Sequence, residues 1–243
     1  MLKIAFIGCS YSAYRQDGQY ENHWSWKLAQ QFPQHQYYSY ALGGRGMDHH
    51  QWCLLDAKQR GIDVVFINRT YNHRVAQLFS DEDPTFNIEP SKAPNYVCLT
   101  QPNHMWLSGC SGKLNIMGKN QSHPLANAIK LSLQDKSISE QNQQYNDRWF
   151  DSVDQLYNFK HIIKLELLPI IPNDNENSAQ HKLNKAYDIQ RRKFLSGKSL
   201  NECLIEKGLV HSPTDDHWSP KANNWVLENF ILSKETIDIL NNS

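Results

Sequence analysis

Apolar residues near the amino terminus fall into short runs separated by helical stripes. Lys3-Ile4-Ala5-Phe6-Ile7 stops at Gly8, and Cys9, Ser10 and Ser12 follow. That order predicts a buried strand, a sharp turn and the opening of a helix. Trp24, Leu28 and Phe32 recur at spacings of four before Pro33, which predicts a helix over 22–32. A second strand is expected from Tyr37 to Leu42, running into Gly43-Gly44-Arg45-Gly46. Positions 47–60 read as a helix with Trp52, Cys53 and Ala57 at compatible spacing and Gly61 as its stop. Ile62 to Ile67 is the clearest strand of all. Alternation of strand and helix in this order argues for a parallel sheet with right-handed crossovers.

Beyond residue 67 the pattern weakens. Asn68 to Arg74 reads as a polar loop, and from about 80 to 123 periodicity dissolves among Pro84, Pro90, Pro94, Pro102, Gly109 and Gly112. This stretch is expected to be an irregular insertion able to fold over a site. Positions 124–157 are helical in pattern, with Leu125, Ile129 and Leu133 on one stripe and Trp149, Val153 and Leu156 on another. A fourth strand over 162–171 ends at Pro172. The stretch 173–197 starts polar and turns helical and basic at Arg191-Arg192-Lys193, a solvated helix face. A short helix over 199–207, a loop over 212–218 and a last helix capped by Ser219-Pro220 complete the chain. The whole is read as one α/β domain over 1–243.

Composition narrows the partners. The 243 residues suit one large α/β domain, and 25 acidic side chains balance 25 basic ones. Without a strongly basic patch, no nucleic-acid or anionic-membrane partner is indicated. No run approaches the ~18 apolar residues of a membrane span. The first strand starts at Leu2, with no leader before it, so a cytoplasmic location is the default expectation. The five cysteines have no CxxC pairing and are odd in number, so most are expected to be reduced core or near-surface thiols. Neither a cofactor nor a metal is expected.

The chemistry-bearing residues lie at opposite ends of the chain. Ser10 follows the first strand, where an open α/β sheet gathers its ligands and helix starts favour developing negative charge. Asp215 and His217 precede the last helix. Ser-His-Asp catalysis needs a base within reach of the hydroxyl and a carboxylate that fixes the imidazole, and one short loop offers both.

These residues resemble the SGNH (GDSL-type) hydrolases. That family has a Gly-Asp-Ser turn after strand one, a glycine after strand two, an asparagine after strand three and a late Asp-x-x-His. Here the blocks stand as Gly8-Cys9-Ser10, Ala41-Leu42-Gly43-Gly44, Ile67 to Asn72 and Asp215-Asp216-His217. The resemblance spans most of the chain except about 80–160. It implies a three-layer α/β/α fold with a mainly parallel, flavodoxin-like sheet, and acyl-ester chemistry. Ser10 would be the nucleophile and His217 the base and then the acid. Backbone N–H groups of Ser10 and Gly44 would hold the oxyanion with a side chain from the third block. This chain departs from the pattern in three places. Cys9 replaces the aspartate. Asp215 stands two residues before His217 where the family has three, with Asp216 as the fallback. The third block lacks Gly-x-Asn-Asp, so Asn72 is preferred by its amide chemistry and Thr70 is the alternative by strand-end counting.

The expected substrate is a small-molecule or carbohydrate ester, since the polar, aromatic-rich insertion suits an O-acyl sugar better than a long lipid. Acyl transfer on the same fold and an inactive glycan-binding or scaffolding role are the alternatives. Cys9 to Arg15 also has the Cys-x5-Arg spacing of low-molecular-weight tyrosine phosphatases, where a thiolate attacks phosphorus. Its intervening residues lack the glycine that a tight phosphate cradle wants. Trp218 is read as packing residue or pocket wall, and Arg74 as a group able to reach an anionic substrate. Arg69 and Arg74 alike are read as solvated or paired, with either able to reach an anionic substrate group, and His49-His50 as helix surface.

Overall fold

The computed structural model describes residues 1–9, 12, 23–42, 46–69, 74–78, 86–91, 93–100, 106–110, 113–117, 136–165, 200–212 and 215–242. Backbone alone is described at 74–78, 90, 106–110, 113–117, 136–140, 143, 201–202, 210–212 and 215–217. At the centre lie β1 (Lys3–Ile7), β2 (Gln36–Ser39) and β3 (Val64–Asn68), with β1 between the other two. β4 (Arg74–Leu78) belongs to a small antiparallel sheet with β7 (Trp106–Cys110) and β8 (Lys113–Met117). β5 (Asn87–Pro90) and β6 (Tyr96–Thr100) extend the main sheet beyond β2, and β9 (His161–Leu165) extends it beyond β3. The resulting order is β5-β6-β2-β1-β3-β9, parallel throughout except for the β5–β6 pair. An α/β protein is thus observed.

Central strands buried on both faces read as unbroken apolar runs, which is why β1 and β3 stand out in the sequence. Ile4, Phe6, Val64 and Phe66 point into one cluster, and Ala5, Ile7, Val65 and Ile67 into another. The first cluster takes in Trp24, Trp26 and Leu28 of α1 (Trp24–Gln31). Cys53, Leu54 and Ala57 of α2 (Met47–Gln59) belong to the second, with Trp149 and Phe150 of α3 (Lys136–Asp151) and Val153 of α4 (Val153–Leu156). Later helices return to the first cluster: α5 (Leu200–Glu206), α6 (Pro220–Val226), a π-helical turn at Leu227–Ile231 and α7 (Lys234–Asn241). Phe6 packs edge-on to Trp24 at 5.4 Å and stacks on Tyr37 at 5.8 Å. His35 fastens both ends of this layer: its Nδ1 accepts from Leu2 N–H at 3.2 Å and its Nε2 lies 2.8 Å from Leu240 O. No described helix is long and apolar enough to cross a membrane.

Four expectations need correction. The 80–123 stretch is not irregular throughout, because β5 to β8 lie within it and β5 and β6 are strands of the main sheet. Proline and glycine punctuate those strands, but β5 pairs with β6 and β7 with β8, and β6 and β7 also pair at longer range with β2 and β4. Residues 212–218, read as a loop, contribute to a hairpin of β10 (Val210–Ser212) and β11 (Asp215–Trp218). His49 and His50 are both fully buried, not surface residues. α2 is covered on a second side, with β4 against it and the Phe86 ring 6.3 Å from that of His49. The His49 Nδ1 lies 3.4 Å from the buried Cys53 thiol, and it is Trp52 that faces outward, 36% exposed. Gly61 has φ +67° at the end of α2, and Ser219 caps α6 by accepting from Ala222 N–H at 3.1 Å, but α6 is not the last helix, because α7 follows it. The helical stretches expected at 124–135 and within 173–197 lie outside the described residues.

Burial holds the Tyr37 and Tyr40 hydroxyls protonated well above the usual tyrosine range. Tyr40 is raised further by donating to Asp56 Oδ2 at 2.7 Å. An unfolded tyrosine ionises near pH 10, so above that pH the unfolded chain holds fewer protons than the native one and stability falls as pH rises. In an alkaline titration these two tyrosinates should appear in ultraviolet absorbance only together with loss of circular dichroism. Ionisation of both with the dichroism intact would contradict it.

Candidate functional site

Strand β1 is where the chain changes direction across the sheet, going first to β2 on one side and then to β3 on the other. The carboxyl end of such a strand is the expected ligand position in an open α/β sheet. Gly8 occupies it. Leu42 N–H donates to Gly8 O at 3.2 Å, extending the ladder in which Tyr40 N–H donates to Phe6 O at 2.9 Å. Asn68, the last residue of β3, flanks Gly8 on the other side. A Cβ on Gly8 would lie 2.7 Å from Ser12 Cβ, closer still to Ser12 Oγ, and 3.0 Å from Asn68 Cβ. Only glycine fits there. Ser12 N–H donates to Cys9 O at 2.9 Å.

The late hairpin is tied to the start of α1. α1 starts at His23, whose Nδ1 accepts from Ser25 N–H at 3.2 Å and lies 3.0 Å from Ser25 Oγ. The next residue, Trp24, donates its N–H to Asn223 Oδ1 at 3.2 Å, across 199 positions of sequence. Asn223 Nδ2 in turn donates to Trp218 O and Ser219 O, each at 3.2 Å. The residue after His217 is therefore tied to the first turn of the helix that follows Ser10. Trp218 and Cys9 belong to one buried cluster.

Ser10, Gly44, Thr70 and Asn72 lie outside the described residues, and Asp215, Asp216, His217 and Arg74 are described by backbone alone. Their side-chain geometry is therefore not part of the site as observed. The described residues bring together Gly8, Leu42, Asn68 and Ser12, and separately Trp24, Asn223 and Trp218. Trp218 packs in the core, 6% exposed. Arg69 is paired: its guanidinium donates to Asp147 Oδ1 at 2.7 Å and lies 4.7 Å over the Phe150 ring. No protein-family model matches the chain, and no curated protein matches it. Among the described residues no three His, Cys, Asp or Glu side chains gather as metal ligands.

Sequence reasoning missed Asn68, Ser12, His23 and Asn223, all buried polar groups. Asn68 carries a readable signal, since an amide ends an otherwise apolar strand. Asn223 carries none, because its partner is at the other end of the chain.

Proposed function

We propose that the protein is a serine ester hydrolase of the SGNH type, with a three-layer α/β/α, flavodoxin-like architecture. The convergence of Gly8, Leu42 and Asn68 carries this reading. It supports a common location for the first three sequence blocks at one carboxyl edge. The Trp24–Asn223–Trp218 tie supports bringing the fourth block there too.

Ser10 attacks the ester carbonyl and His217 takes its proton, then returns it to the departing alcohol. Asp215, with Asp216 in reserve, orients the imidazole. Backbone N–H groups of Ser10 and Gly44, with Asn72 or Thr70, receive the oxyanion, each such donor contributing about 3 kcal/mol. Water then releases the acyl group, or an acceptor alcohol does so in a transferase. An O-acyl sugar is the proposed substrate class. Cys9 supports serine over thiolate chemistry. It is fully buried in the apolar cluster, whereas reactive cysteines sit in partly exposed, electropositive surroundings.

A fluorophosphonate probe followed by peptide mapping tests the assignment. Labelling is expected on the peptide containing Ser10 and should be suppressed by an acetylated sugar. A chain that takes no label and turns over no acyl ester would favour the inactive glycan-binding or scaffolding reading instead.

A further inference from the structure

We propose that Arg69 is a positioning residue, and that its ion pair with Asp147 fixes the carboxyl end of β3 beneath the candidate site. Three contacts converge on it. Its backbone N–H donates to Leu165 O at 2.8 Å, prolonging the β3–β9 ladder one step past Asn68. Its guanidinium meets Asp147 at 2.7 Å and Asp151 at 3.5 Å, and lies over Phe150. The Arg69 side chain is only 5% exposed, so water screens the Asp147 contact little.

Electrostatics explain why an arginine belongs here. Asp147 and Asp151 occupy the last turns of α3, where the helix macrodipole disfavours carboxylates. Arg69 supplies the compensating cation from β3. Lys164 of β9 takes the same helix end, donating to Asp151 O at 2.7 Å and to Asp154 Oδ1 at 2.6 Å. The carboxyl ends of two neighbouring strands thus grip the end of one helix. Asn68 lies between this grip and Gly8, so the pair sets how the last residue of β3 meets Gly8. A planar guanidinium serves both the carboxylate and the ring, which an ammonium does not.

Only the kinetic half of the test rests on the ester-hydrolase reading. In the full chain, Arg69→Met and Asp147→Leu are made singly and together, with Arg69→Lys as a milder variant. Replacing a buried ion pair by apolar residues of similar volume restores stability lost in the singles. The double variant should therefore recover thermal stability while kcat stays down, on the order of a hundredfold below wild type, with KM little changed. Recovery of kcat together with stability would overturn the proposal. Hydrogen exchange gives the independent half. The amide of Arg69 should exchange faster in every variant, on the order of tenfold, while those of β1 stay protected. If the wild-type chain neither labels nor turns over ester, the hydrolase reading fails and exchange alone decides. Acceleration local to the end of β3 upholds the positioning pair, and uniform acceleration or none overturns it.

Discussion

Replacing Ser10 by alanine should lower turnover of p-nitrophenyl acetate by about a thousandfold or more, the usual cost of removing a triad nucleophile. KM should change little, since the hydroxyl acts in bond making and contributes little to substrate capture. Cys9→Ala is the matched comparison. Cys9 lies fully buried on the aromatic face of the sheet, so its loss creates a small cavity costing about 1 kcal/mol. That variant should hydrolyse the ester within about tenfold of wild type, wherever it remains folded. Activity that survives Ser10→Ala and disappears in Cys9→Ala would exchange the two roles and return the chain to thiolate chemistry.

Gly8→Ala should be damaging twice over. The added methyl would sit 2.7 Å from Ser12 Cβ and 3.0 Å from Asn68 Cβ, inside normal contact on both sides. Neither neighbour is the far end of a long side chain, so the backbone around the turn must move. Overpacking of this kind costs about 1–3 kcal/mol, measurable in urea unfolding. Turnover should fall by about a hundredfold at temperatures where the variant is still folded, because Ser10, the proposed nucleophile, lies two residues beyond Gly8 in sequence. Ser12→Gly added to Gly8→Ala removes both the hydroxyl and its Cβ from the clash and should regain part of each loss. A Gly8→Ala chain as stable and active as wild type would remove Gly8 from the centre of the site.

The parts of the fold that were legible are those whose causes are local. β1 and β3 are apolar because both faces are covered, α1 is a four-residue stripe ended by proline, and Ser219-Pro220 announces a helix start. What escaped has non-local causes. β6 joins the main sheet through its pairing with β2, Tyr37 opposite Tyr96, some sixty positions away in sequence. β11 is Asp-Asp-His-Trp, a strand by virtue of its hairpin and with no apolar alternation to betray it. His49 and His50 were misread because adjacent helix residues occupy different faces, and here both faces are covered.

The same division applies to the candidate site. Strand ends can be counted, so the positions of Gly8 and of Leu42 beside it were within reach of the sequence. The Arg69–Asp147 pair spans 78 positions and leaves no trace in any local pattern. Nor does the need for glycine at position 8, which arises from a side chain four residues later folding back over it.

The His35 tie has a practical consequence for handling the protein. Leu2 and Leu240 meet the same imidazole at the amino end of β1, whereas Gly8 lies at the opposite end of that strand. Five residues of strand put about 17 Å between the two. An affinity handle or surface tether attached beside Leu2 or Leu240 would therefore leave the carboxyl edge pointing away from the support. Immobilised protein, captured from either direction, should meet a soluble ester as freely as protein in solution.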